Sequence, residues 1–166
     1  VNEESYFNIR IANQILEEKK IISYDDLSYG GREFTYALGL PLIIAGLGFL
    51  LKGNTIIASR ILLFLLGILT IAFLYLILKK FISDKRVNIL TLLILIISPP
   101  FLYLFNSLNV FTVSLVLGLL GFYLFLSNKK KLIYLSAFML VITLLFNFYF
   151  FIMFLLLTFI FSIFNK

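Results

Sequence analysis

Glu4, Arg10, Asp25, Asp26 and Arg32 stand close together in a chain that otherwise reads as hydrocarbon, and theirs are the side-chain types that could do chemistry. Seven of the 8 acidic residues lie in the first 33 positions (Glu3, Glu4, Glu17, Glu18, Asp25, Asp26 and Glu33), and only Asp84 falls outside. Any step that needs a carboxylate therefore belongs to this head. A carboxylate can take a proton from an acceptor or hold a cation, and a guanidinium can hold a phosphate. The chain has no Cys and no His. That removes disulfides, thiolate or imidazole metal sites and a His-based triad, so any metal would be oxygen-ligated.

The head must be positioned by an apolar body. Hydrophobic residues make up 62% of the 166, charged residues 13%, and the mean hydropathy is +1.10. Soluble domains carry about 25% charged residues, so the composition reads as an integral membrane protein. The net charge of +6 implies contact with anionic membrane lipids. The basic residues are scattered among short loops and form no single solvated face, which excludes a nucleic-acid partner.

Phe7, Ile11, Ala12, Ile15 and Leu16 recur at helical spacing and predict an amphipathic helix over 3–19. Asn2 is its expected N-cap, and Glu3 and Glu4 suit the positive end of the helix dipole. SYDDLSYGGREF (23–34) follows as loop, with Gly30-Gly31 making a tight turn. The expected fold class is all-α: a polytopic transmembrane helix bundle with an N-terminal extracytoplasmic amphipathic helix and loop. Residues 1–54 form the external region and 55–166 the bundle, with spans at about 55–78, 87–105, 109–127, 132–146 and 148–164. The last two are divided at Asn147, because the 33 uncharged residues from Leu132 to Phe164 are too long for one span. With no Met at Val1 and an end straight after an apolar run, the chain reads as a piece of a larger protein.

Topology follows from the cations. Lys79, Lys80, Lys85 and Arg86 form one loop and Lys129–Lys131 another, and both are cytoplasmic if 87–105 and 109–127 each span. The head is then outside, provided 34–51 lies at the interface instead of crossing. Gly39, Pro41, Gly46 and Gly48 favour that arrangement, and the localisation expected is the cell membrane with residues 1–54 extracytoplasmic.

ESYFNIRIA (4–12) resembles the first external loop of GT-C membrane glycosyltransferases, above all the oligosaccharyltransferase catalytic subunit and its archaeal relatives. The matching positions are Glu4, Tyr6, Phe7, Asn8, Ile9 and Arg10. DDLSYGGREFTY, ASRILLFLLGILT (58–70) and SPPFLYLFN (98–106) are similar to the segments that follow. The resemblance implies transfer of a sugar from a polyprenyl-phosphate carrier, a lipid-linked donor, to an acceptor protein or glycan. It implies Glu4 as the catalytic carboxylate, with Glu3 next if the register slips by one. Arg10, Arg32, Arg60, Asp25 and Asp26 are then substrate or phosphate contacts.

Each has a plainer reading. Glu3 and Glu4 suit any first helical turn, and Arg10 could pair with Glu3 or Glu17. Asp25 and Asp26 suit loop caps, while Arg32 and Arg60 could snorkel to an interface. In oligosaccharyltransferases the link after the Ser-Pro pair carries a second catalytic acid. Here that link, LFNSLNVFTVS (104–114), offers Asn106, Asn109 and Thr112. The family's two-carboxylate metal site is not reproduced, so Mn²⁺ or Mg²⁺ is possible but a metal-free reaction is favoured. The competing classes are an inactive GT-C member and a non-enzymatic transporter or scaffold. The near absence of ionisable residues in the spans besides Arg60 argues against an ion-coupled carrier.

Overall fold

The structure is a computed structural model describing residues 3–21, 24–25, 31–33, 38–127 and 129–164. Its elements run α1 (Glu3–Glu18), β1 (Tyr24–Asp25), β2 (Arg32–Glu33), α2 (Gly39–Leu50), α3 (Thr55–Phe81), α4 (Lys85–Ile97), α5 (Pro99–Asn106), α6 (Val110–Phe125), α7 (Lys130–Phe146) and α8 (Phe148–Phe164). Among the described residues the fold is all-α apart from one two-residue antiparallel pairing, in which Tyr24 faces Glu33 and Asp25 faces Arg32. The loop expected there is thus a small hairpin. Gly31 takes φ +66 with the Tyr24 hydroxyl against it, a position where a side chain would be both strained and obstructed.

The bundle has two ends. Lys80 Nζ lies 3.3 Å from Ser127 Oγ, which joins the 79–86 loop to the start of the 128–131 loop. Ser5, in α1, is hydrogen-bonded to Leu108, just before α6, at the other end. Helices α3 and α6 therefore run in the same direction, and α4–α5 returns between them. The pair α6 and α7 forms the most extensive contact. Its close approach rests on Gly121, whose carbonyl accepts a 2.7 Å bond from Ser136 Oγ, and on the fit of Leu140 over the same glycine. Gly118 admits the Phe154 ring of α8, which is 2% exposed. Packing on α6 is thus set by two bare backbone positions one turn apart. Ala12, Leu40, Ile44, Ala58, Leu62 and Val113 form the core at the α1 end. Ile77, Leu119, Leu140 and Phe154 form the core nearer the lysines.

Several boundaries differ from the sequence expectation. The first helix ends at Glu18, and Lys19 lies beyond it with φ +53. Of the apolar stretch expected as a helix over 34–51, the described residues 38–51 are helical over Gly39–Leu50, about 18 Å at 1.5 Å per residue. Pro41 sits in the first turn, where its missing N–H has no helical partner to lose. Gly39 accommodates Phe146, and Gly48 accommodates Leu16 and Thr55. The segment 87–105 is not one straight helix: it breaks at Ser98, and α5 departs from α4 at 61°. Pro99 and Pro100 start α5 and cannot donate to the last carbonyls of α4. Helix α6 covers 110–125 of the expected 109–127. Asn147 divides α7 from α8 as expected: its Oδ1 accepts the Phe150 amide at 3.0 Å and begins the second helix.

Among the described residues α3 is long and apolar enough to cross a membrane by itself, and bent α4–α5 qualifies if it is one span. Gly39–Leu50, Val110–Phe125 and Phe148–Phe164 are apolar but shorter. Large apolar side chains also point outward, among them Phe64, Ile97, Phe138, Leu145, Tyr149 and Phe159.

Candidate functional site

Helix α1 turns Ser5, Asn8, Ile11 and Ala12 inward at helical spacing and packs them on α2, the start of α3 and the α5–α6 link. Two of its polar side chains, Ser5 and Asn13, bond to other elements. Ser5 Oγ donates to the Leu108 carbonyl at 3.0 Å and accepts from the Leu108 amide at 2.9 Å. Asn13 Oδ1 accepts from the Thr55 hydroxyl at 2.6 Å, tying α1 to the first residue of α3. Asn8 is 4% exposed and uses Nδ2 on the Glu4 carbonyl at 2.8 Å. A buried polar atom without a partner costs about 1–3 kcal/mol, so the Ser5 and Asn13 bonds favour one seating for the helix, while the Asn8 bond stays within it.

Glu4 lies at the edge of that inward face, one turn before Asn8. The residue is half-buried, and its carboxylate makes no hydrogen bond or ion pair with a described residue. Glu3 is exposed. Arg10 is half-buried, with its guanidinium carbon 5.4 Å from the Phe7 ring centroid. Such cation–π contacts contribute about 0.5–1 kcal/mol at exposed sites. Asp25 and Arg32 face each other in the hairpin register. Their side chains lie outside the described residues, as do Asp26, Asn2 and Gly30.

Arg60 is not brought to α1. The inward face of α3 is Thr55, Ala58, Ser59, Leu62 and Leu66, and Arg60 projects from the opposite face, exposed, at the head of an apolar groove.

The link after the Ser-Pro pair comes directly against α1 through Leu108; Asn106 is exposed, while Asn109 and Thr112 are engaged in local structure. Asn109 is 3% exposed and caps α6, accepting from the Thr112 amide at 3.0 Å while the Thr112 hydroxyl donates to the Asn109 carbonyl at 2.7 Å. Among the described residues no three Asp, Glu, His or Cys side chains converge where they could hold a metal ion.

Two residues that organise the site escaped the sequence reading. The Asn109–Thr112 spacing is a recognisable cap signal ahead of an apolar run. Nothing in the sequence points to Ser5, whose partner is 103 positions away. Comparison with models of known protein families, with characterised proteins and with solved structures finds no match.

Proposed function

We propose that the chain is the membrane part of a GT-C type glycosyltransferase, which moves a sugar or oligosaccharide from a polyprenyl-phosphate carrier to an acceptor on the extracytoplasmic face. The supporting observation is the pair of hydrogen bonds between Ser5 and Leu108. They set the residue beside Glu4 against the α5–α6 link, and the resemblance makes one site of the same two segments.

In this reading α3, α4–α5, α6, α7 and α8 cross the membrane, and the outward apolar side chains face lipid. Helix α2, with 12 helical residues against 16 or 17 in α6, α7 and α8, lies with α1 at the outer interface. The acceptor's nucleophilic O–H or N–H attacks the anomeric carbon, and the bond from that carbon to the carrier phosphate breaks. Glu4 takes the acceptor's proton. Arg10 and Arg32, on the same head segment as Asp25 and Asp26, supply the cations that orient the leaving phosphate. Exposed Glu3 is the reserve carboxylate, and no resident metal is assigned.

The test is Glu4→Gln in the full-length protein in its native membrane, with transfer from a radiolabelled polyprenyl-phosphate sugar as the readout. General-base removal typically lowers rate by 10²–10⁴-fold, and that loss is expected here with membrane insertion unchanged. Glu17→Gln, on the same helix but away from the site, should change transfer little. Unchanged turnover in both Glu4→Gln and Glu3→Gln would refute the assignment.

A further inference from the structure

The outward face of α3 carries a second feature that the transfer reaction does not use. Arg60, Leu63, Phe64, Gly67 and Ile71 recur along one stripe of the helix, and Phe105 of α5 forms a wall beside them. Together they enclose a groove of about 390 Å³. From Arg60 to Ile71 the stripe spans about 16 Å at 1.5 Å per residue. Gly67 leaves its floor open: a Cβ there would have its nearest neighbour, Phe105, at 3.6 Å. Arg60 is the charged member of the lining, and it makes no ion pair or hydrogen bond with a described residue. A guanidinium on an apolar helix calls for an anion, because an unpaired charge there is costly.

We propose that this groove holds an anionic membrane phospholipid, with its phosphate on Arg60 and one acyl chain laid toward Ile71. A single cation at one end of an apolar channel matches the polarity of such an amphiphile, and the open floor at Gly67 makes room for a chain. The proposal rests on the membrane reading above and not on the transferase reading.

The protein has no Trp, so Phe105→Trp gives a single fluorescent reporter on the groove wall. The full chain carrying it is placed in phosphatidylcholine vesicles with a brominated-chain quencher, either phosphatidylglycerol or phosphatidylcholine. One basic residue near an anionic headgroup favours it by about fivefold, so brominated phosphatidylglycerol should occupy the site about fivefold more strongly. That preference should vanish in Arg60→Gln, survive in Arg60→Lys and resist added inorganic phosphate at constant ionic strength. Gly67→Leu, which fills the groove, should weaken quenching by phosphatidylglycerol.

Equal quenching by the two lipids, or a preference that survives Arg60→Gln, would overturn the proposal. Displacement by polyprenyl phosphate at far lower concentration than by unlabelled phosphatidylglycerol would overturn it too, giving the groove to the sugar donor. Quenching by neither lipid would remove the membrane reading and this proposal with it.

Discussion

At the end of the bundle where α1 sits, Asn54, Asn109 and Asn147 open α3, α6 and α8 by accepting the amides of Ile57, Thr112 and Phe150, each at 3.0 Å. Ser5 and Asn13 add bonds between elements far apart in sequence. The opposite end carries Lys79, Lys80, Lys85, Arg86 and Lys129–Lys131, nearly all exposed, and its loops meet at the 3.3 Å Lys80–Ser127 contact. Asp84 caps α4 there, whereas α7 starts at Lys129 with no side-chain cap bond. One end is fixed by directional bonds, of which those of Ser5 and Asn109 are buried. The other presents charge, and charge acts at a distance without requiring one geometry. In the proposed reading the α1 end positions the site, and the lysine end sets orientation in the membrane.

Substitution at each end can break or sharpen this contrast. Ser5→Ala leaves the Leu108 amide and carbonyl without their partner, and an unsatisfied buried group costs about 1–3 kcal/mol. Purified protein should unfold at correspondingly lower denaturant, and protease should cut between α1 and α2 faster. An unchanged midpoint would mean that the Ser5 bonds do not hold α1. Asn109→Ala removes one cap, with an expected loss of about 1 kcal/mol in the same titration. Lys80→Ala should stay within about 0.5 kcal/mol, as surface changes usually do, although its ammonium lies 5.1 Å from the Tyr123 ring centroid. Equal losses at Ser5 and Lys80 would abolish the distinction between the two ends.

The parts of this arrangement that depend on local pattern were legible in the sequence. The inward face of α1 follows from Ile11 and Ala12, the lysine loops from their charge, and the α7–α8 division from one Asn in an apolar run. What depends on distant partners was not legible. Gly118 and Gly121 look like ordinary helix interruptions until Phe154 and Leu140 are seen against them. Pro99-Pro100 suggested a helix near its end, but the chain resumes as α5 because both prolines fit its first turn. For the site, the sequence pointed to Glu4 and to the missing acid in the link. It could not indicate that Ser5 clamps the link or that Arg60 faces away from α1, since both depend on how the helices are rotated.

The placement of the two ends on opposite faces of a membrane is tested most directly by single cysteines. The native chain has none, so Glu18→Cys and Ser83→Cys, both at exposed positions, each give one reactive thiol. An impermeant maleimide applied to intact cells should label the cysteine at position 18, and should reach the one at position 83 only after the membrane is opened. Labelling at 83 but not at 18 in intact cells would contradict the orientation, and equal labelling of both would contradict the separation of the ends across a membrane.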